Sequence, residues 1–281
     1  MKDETAFAID FNLYQVPAAL GLPVPPAAAA ALLGIGEQEL LDYSRAAGAE
    51  VAAAAAGLAA NPGIAAGLAA LRANLADGAR ILAIGDSITT YRRGYVALLA
   101  GLLASCYPQA GYRVINVGQS GYTSTQAREC TYTQWLAQQP DLACVMYGVN
   151  DCKRFGGGTA TLVSVNEYAA NMKAIVEALL THTRAQVVLF TPTPIVTAVA
   201  NQVPDFVAMR MTWSNADIAA CAEAVRAIAA GHGLPCVDLV AGFGPAPDPA
   251  LYLPDGLHPG PSGHRMILER FLETVAQRRK A

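Results

Sequence analysis

Five short apolar runs recur from Arg80 onward: "ILAIG" (81–85), "YRVINVG" (112–118), "LACVMYG" (142–148), "QVVLFTP" (186–192) and "PCVDLV" (235–240). Each is shorter than a core helix and rich in Val, Ile and Leu, and the first four end on glycine or proline. These are the marks of strands buried on both faces. Between them, apolar residues at helical spacing predict helices near 93–105, 124–138, 165–182 and 214–231, with a last one near 262–278. The order βαβαβαβαβα demands crossover connections. It therefore predicts an α/β fold with a five-stranded parallel sheet, doubly wound between two layers of helices. Ligands of such sheets bind outside the carboxyl ends of the strands, so chemistry is sought there.

The sequence before this pattern has another character. Residues 1–78 form an alanine-rich helical extension, and residues 79–281 form the main domain. The first 80 residues hold 26 alanines, with Leu, Ile and Val at helical spacing that need covering by the main domain or by a second copy in a homo-oligomer. "AALLGIGEQELLDYSRAAG" has the outline of a helix-turn-helix. The same 80 residues carry only four basic side chains against eight acidic ones, a surface unsuited to phosphate backbone, and no nucleic-acid partner is expected. The longest uncharged stretch, Phe11 to Gly36, contains Pro17, Pro23, Pro25 and Pro26, and Val51 to Leu71 is broken by Asn61-Pro62. Neither reads as a membrane span. The acidic start "MKDETAFAIDF" differs from a secretory leader and points to the cytoplasm. The six cysteines form no CxxC pair and sit beside no histidine at metal-ligand spacing. They read as reduced thiols, several in the core, with no metal site and no cofactor.

The strand ends carry chemistry. After the first comes Gly85-Asp86-Ser87; after the second, "NVGQSGYTS" with Gly118 and Gly121; after the third, "YGVND" with Asn150 and Asp151. Before the last helix lies "LPDGLHPGPSGH", where Asp255 and His258 are three residues apart. At that spacing a carboxylate can bond the imidazole Nδ1–H and leave Nε2 to take a proton, which turns a serine at a facing strand end into a nucleophile. Acyl transfer also needs donors aimed at the oxygen that gains charge. The Ser87 N–H, the Gly121 N–H and the Asn150 amide are the candidates, with glycine at 121 admitting close approach.

The blocks "GDSIT", "NVGQSG", "GVND" and "DGLHP", in this order, resemble those of the SGNH, or GDSL-type, hydrolase family, from about Arg80 to the carboxyl terminus. The resemblance implies a flavodoxin-like three-layer sandwich and a serine esterase that cleaves a carboxylic ester through an acyl-enzyme. It implies Ser87 as nucleophile, Gly121 and Asn150 completing the oxyanion hole with Ser87, His258 as base and Asp255 as its orienting acid. The expected partner is a small-molecule ester with a small or medium acyl group, such as an acetylated carbohydrate or a lipid-like ester. The family's minimal domain has no counterpart for the first 78 residues.

Two other readings use the same blocks differently. An acyltransferase would keep every residue and exchange water for an alcohol. A flavodoxin-like binding module would seat a flavin phosphate on "SITTY", but Asp86 would oppose it and "DGLHP" would have no use. Elsewhere, His182, His232 and His264 read as structural residues of helix ends, and Asp86 and Asp151 as acids that bond turn backbone. Lys153 and Arg154 read as solvated. The segments 154–164 and 193–213, the second containing Phe206, Met209, Met211 and Trp213, are the candidates for lining the cleft.

Overall fold

The computed structural model describes residues 1–13 and 24–278; residues 14–23, part of the proline-rich stretch read above as no membrane span, lie outside them. The five main strands are β1 (Arg80–Gly85), β2 (Arg113–Asn116), β3 (Leu142–Met146), β5 (Gln186–Phe190) and β7 (Cys236–Val237). They form one parallel sheet in the order β2-β1-β3-β5-β7. The direction of winding reverses beside β1, so the loops after β1 and β3 diverge there and open a crevice. β3 is buried along its whole length, whereas β2, at the edge, is half exposed.

The helices that flank the sheet follow the spacing of their apolar residues: α6 (Tyr95–Cys106), α7 (Ser124–Cys130), α8 (Val165–His182), α11 (Asn215–His232) and α13 (Pro261–Arg278). α7 and α11 pack on α8, and α6 packs on α13. Ser164 and Ser214 accept backbone N–H groups at the starts of α8 and α11, and Gly233 closes α11 in the left-handed region. α7 runs on through a wider turn at Thr131–Trp135 and a tight one at Leu136–Gln138.

Short elements complete this part of the chain. α5 (Ser87–Thr90) follows β1, α9 (Thr197–Ala200) and α10 (Pro204–Ala208) follow β5, and α12 (Leu239–Phe243) follows β7. The fifth apolar run therefore forms a strand over only two residues. Asp238 ends it by accepting the Ala241 N–H at 3.0 Å and pairing with Arg226, which starts α12 instead. A two-residue antiparallel ribbon, β4 (Arg154–Phe155) with β6 (Met211–Thr212), was outside the reach of any apolar pattern. All six cysteines are free thiols, four of them buried.

The amino-terminal helices are α1 (Asp3–Asp10), α2 (Pro26–Leu33), α3 (Glu37–Ala59) and α4 (Pro62–Asn74). Asn61 caps α4 by accepting the Gly63 N–H at 2.8 Å, with Pro62 in the first turn. α3 packs on α6 and α4 on α13, and Leu58, Ile64, Leu68 and Leu71 join the same buried cluster as the strands. Among the described residues no single helix is long and apolar enough to cross a membrane. α3 and α4 would suffice only together, and they bend by 97° at their junction.

Candidate active site

Ser87 is the first residue of α5, directly after β1. Asp86 caps that helical turn: its Oδ1 accepts the Ile88 N–H at 3.0 Å, and its carbonyl accepts the N–H groups of Thr89 and Thr90. The Ser87 N–H, in the first turn, has no partner within the helix and is free to face outward. Asp86 itself is buried, and burial pushes its carboxyl up to about 7, with the Ile88 N–H opposing that rise.

His258 reaches Ser87 from the loop before α13, its Nε2 lying 3.0 Å from Ser87 Oγ. Its Nδ1 lies 2.7 Å from Asp255 Oδ2. The other oxygen of Asp255 accepts the N–H groups of Leu257 and His258, each at 2.9 Å. Burial raises the Asp255 carboxyl, but the His258 ring and these two backbone donors outweigh it and hold the group below the ordinary carboxylate range. The acid thus stays ionised, the imidazole keeps its hydrogen on Nδ1, and Nε2 is left as the acceptor facing the serine.

Two further loops face this pair. Gly121, after β2, has φ +82°, a conformation that favours glycine, while a Cβ built on it would meet no atom within 4 Å. The positive φ is thus a second reason for glycine here, beside the close approach of a ligand expected from the sequence. Asn150, after β3, donates from Nδ2 to the carbonyl of Tyr122 at 3.1 Å, which ties the third block to the residue after Gly121. One amide hydrogen is used in that bond and the second remains for a ligand. Asp151 is buried and accepts the Ser124 N–H at 2.9 Å and the Ser124 hydroxyl, so it fastens the loop after β3 to the start of α7.

Several side chains stand elsewhere than the sequence reading put them. Arg154 is paired with Asp217 at 2.7 Å and is only partly exposed. Lys153 is half-buried, and burial lowers its pKa against the opposing charges of Asp86 and Asp151. Trp213 and Met211 are buried; the Trp213 ring packs edge-on against Phe206, and its Nε1 donates to the Val149 carbonyl at 3.0 Å, bracing the Asn150 loop from behind. Met209 is exposed. His264 is fully buried and accepts the Tyr95 N–H on Nδ1 at 3.2 Å; burial lowers its pKa to about 3 and keeps it neutral.

Phe7 of α1 and Phe11 directly after that helix also meet the site. The Phe11 ring centroid lies 4.6 Å from that of His258, and Phe7 stands edge-on to the same imidazole at 5.6 Å. One phenylalanine in an eight-residue helix and another directly after it carry no signal for this, because contact with a ring demands bulk and not a particular functional group.

A serine, an imidazole and a carboxylate in hydrogen-bonded series, at the end of a parallel sheet, define a serine hydrolase site. The chain belongs to the GDSL-like Lipase/Acylhydrolase family, whose profile matches residues 83–266, and it is a carboxylic ester hydrolase. It is 28% identical over 227 residues to an acetylxylan esterase of Geobacillus stearothermophilus, covering 72% of this chain and 95% of that one. It is 26% identical over 211 residues to the human isoamyl acetate-hydrolyzing esterase 1 homolog, covering 71% and 82%. A crystal structure of the Geobacillus enzyme with a serine replaced by alanine, described as a catalytic mutant, superposes with a TM-score of 0.58 at 26% identity, covering 72% of this chain and 96% of that one. Two other catalytic mutants of that enzyme replace an aspartate and a histidine three positions apart.

Proposed function

We propose that this esterase cleaves acetyl esters, with Ser87 as nucleophile, His258 as general base and acid, Asp255 as the orienting acid, and Ser87 N–H, Gly121 N–H and Asn150 Nδ2 as oxyanion donors. The observation that carries the reading is the continuous series Asp255–His258–Ser87, with contacts of 2.7 and 3.0 Å. The aspartate and histidine three positions apart in the catalytic mutants of the Geobacillus enzyme support it. Acetate esters appear in the names of both relatives, which supports a small acyl group over a medium one. In the first step His258 Nε2 takes the Ser87 proton as Oγ attacks the carbonyl carbon. The tetrahedral oxyanion gathers charge on an oxygen held by the three donors, and the imidazolium then protonates the departing alcohol. Water, deprotonated by the same imidazole, releases acetate from Ser87. The catalytic unit in this reading is residues 79–281. Residues 1–78 serve it as an intramolecular cover, because α3 and α4 lay their apolar residues on α6 and α13 of their own chain.

The test is hydrolysis of p-nitrophenyl acetate by Ser87→Ala. The rate should fall by a factor on the order of 10⁴ or more with an unchanged circular dichroism spectrum. A folded variant with near wild-type turnover would remove Ser87 from the reaction.

A further inference from the structure

The amino-terminal helix α1 is seated on the base of the site and fixed there from several sides. The Ser120 hydroxyl donates to the Phe11 carbonyl at 2.8 Å, and the Arg92 N–H donates to the Asp10 carbonyl at 2.8 Å. The Asp10 side chain pairs with Arg93, which is itself bound to Glu50 of α3 at 2.7 Å, and Tyr43 donates to Asp10 at 3.1 Å. Phe11 is buried between His258 and Tyr91, whose ring lies 4.9 Å away. Phe7 leans on Phe11 at 4.4 Å and on the edge of His258, yet remains 37% exposed. None of these α1 residues falls within the family match at 83–266.

Position decides what such a ring can touch. An imidazole that takes the serine proton hands it to the oxygen of the leaving alcohol, so the alcohol departs beside Nε2. Surface that flanks the imidazole therefore borders the alcohol half of the ester, whereas the carbonyl oxygen points to the donors of the loops after β1, β2 and β3. The exposed part of Phe7 is apolar surface at that border. Resting on the assignment of Ser87 and His258 above, we infer that Phe7, seated on Phe11 and clamped through Asp10 and Arg93, is a specificity-determining residue on which the alcohol half of the ester packs.

The experiment compares kcat/KM of the full chain for methyl acetate, benzyl acetate and methyl butyrate. Phe7→Ala, at a partly exposed position, should lower the benzyl-to-methyl acetate ratio about tenfold, chiefly through KM for benzyl acetate, because ring contact with the alcohol is lost. The butyrate-to-acetate ratio at constant methanol should stay as in wild type, since the acyl half lies elsewhere. Phe7→Leu should restore part of the benzyl preference. Asp10→Ala, which releases the clamp, should shift the benzyl ratio in the same direction by a smaller factor. An unchanged or increased benzyl ratio in Phe7→Ala overturns the inference, and so does an equal loss in the butyrate series. If these occur while Ser87→Ala is inactive, the inference alone fails. Full turnover by Ser87→Ala overturns the base assignment and the inference together.

Discussion

Where the sheet presents its polar residues, each sits on a short turn fixed by a hydrogen bond to backbone; where the amino-terminal extension meets the same domain, it is held by apolar contact behind and by ion pairs in front. Two aspartates, one buried and one half-buried, show the contrast. Asp86, at the end of β1, has only neutral donors in direct contact, and its carboxyl rises to about 7. Asp10, at the end of α1, is also raised by burial, but Arg93 beside it works against the rise. The carboxyl beside Ser87 has no cation paired with it and keeps its proton toward neutral pH, while the carboxyl that anchors α1 is paired with an arginine. In the function proposed above, the extension shapes the site and the sheet performs the chemistry.

The largest expected effect lies with a residue at the end of the sheet. Asn150→Ala removes one of the proposed oxyanion donors and the link to the Tyr122 carbonyl, leaving the Ser87–His258–Asp255 series intact. Its kcat on p-nitrophenyl acetate should fall by about 10²–10³, with KM little changed. Steady-state kinetics on the folded variant checks this. A loss below tenfold would show that the loop after β3 is a support and not a donor.

A second, smaller effect lies in stability against pH. Asp86 has a folded value near 7 against 3.8 in the unfolded chain, so the native state holds a proton that the unfolded state has released between about pH 4 and 7. Stability from this group falls as pH rises through that window. His264 does the opposite. Its folded value near 3 lies below the unfolded 6.5, so the unfolded state holds the extra proton, and stability from this group rises with pH from about 3 to 6.5. The two slopes oppose each other between pH 4 and 6.5. Asp86→Asn keeps the oxygen that accepts the Ile88 N–H and removes one slope. Urea midpoints of the variant should therefore climb with pH over that range while those of the wild type change little. Parallel curves would show that Asp86 is already ionised in the folded protein.

How much of this was legible in the sequence depends on how narrowly physics constrains each residue. β1, β3 and β5 were visible because a strand buried on both faces must be apolar along its length. β7 shrank because Asp238, inside the fifth run, has a better use as a cap, and a two-residue ribbon such as β4–β6 leaves no period to detect. Ser87, His258, Asp255 and Asn150 stood out because proton transfer and hydrogen-bond donation each require particular atoms, and three loops supplied them, after β1, after β3 and before α13. Phe7 and Phe11 were invisible because their contact with His258 joins the two ends of the chain through shape alone. Gly121 was singled out for the close approach a missing side chain allows, while its positive φ, a second reason for glycine, leaves no mark in the sequence.

The smallest effect on catalysis should come from the back of the extension, and it isolates cover from chemistry. Gly67 of α4 lies so close to α13 that a Cβ built on it would stand 2.4 Å from Leu272 Cβ and 2.9 Å from the Leu272 carbonyl oxygen. Gly67→Ala gains helix propensity, which favours it by roughly 1 kcal/mol in an open helix. Here the added methyl must push two helices apart, and overpacking of this kind costs about 1–3 kcal/mol. The obstacle is partly backbone, which cannot turn aside as a flexible side chain can, so the cost should outweigh the gain. The variant should unfold at a lower temperature by a few degrees while kcat/KM for p-nitrophenyl acetate, measured well below that transition, stays within about twofold of wild type. Calorimetry and kinetics on one preparation read both numbers. A loss of activity without a loss of stability would show that α4 and α13 transmit position to His258, whose loop precedes α13, and the division between cover and chemistry would then have to be redrawn at that helix.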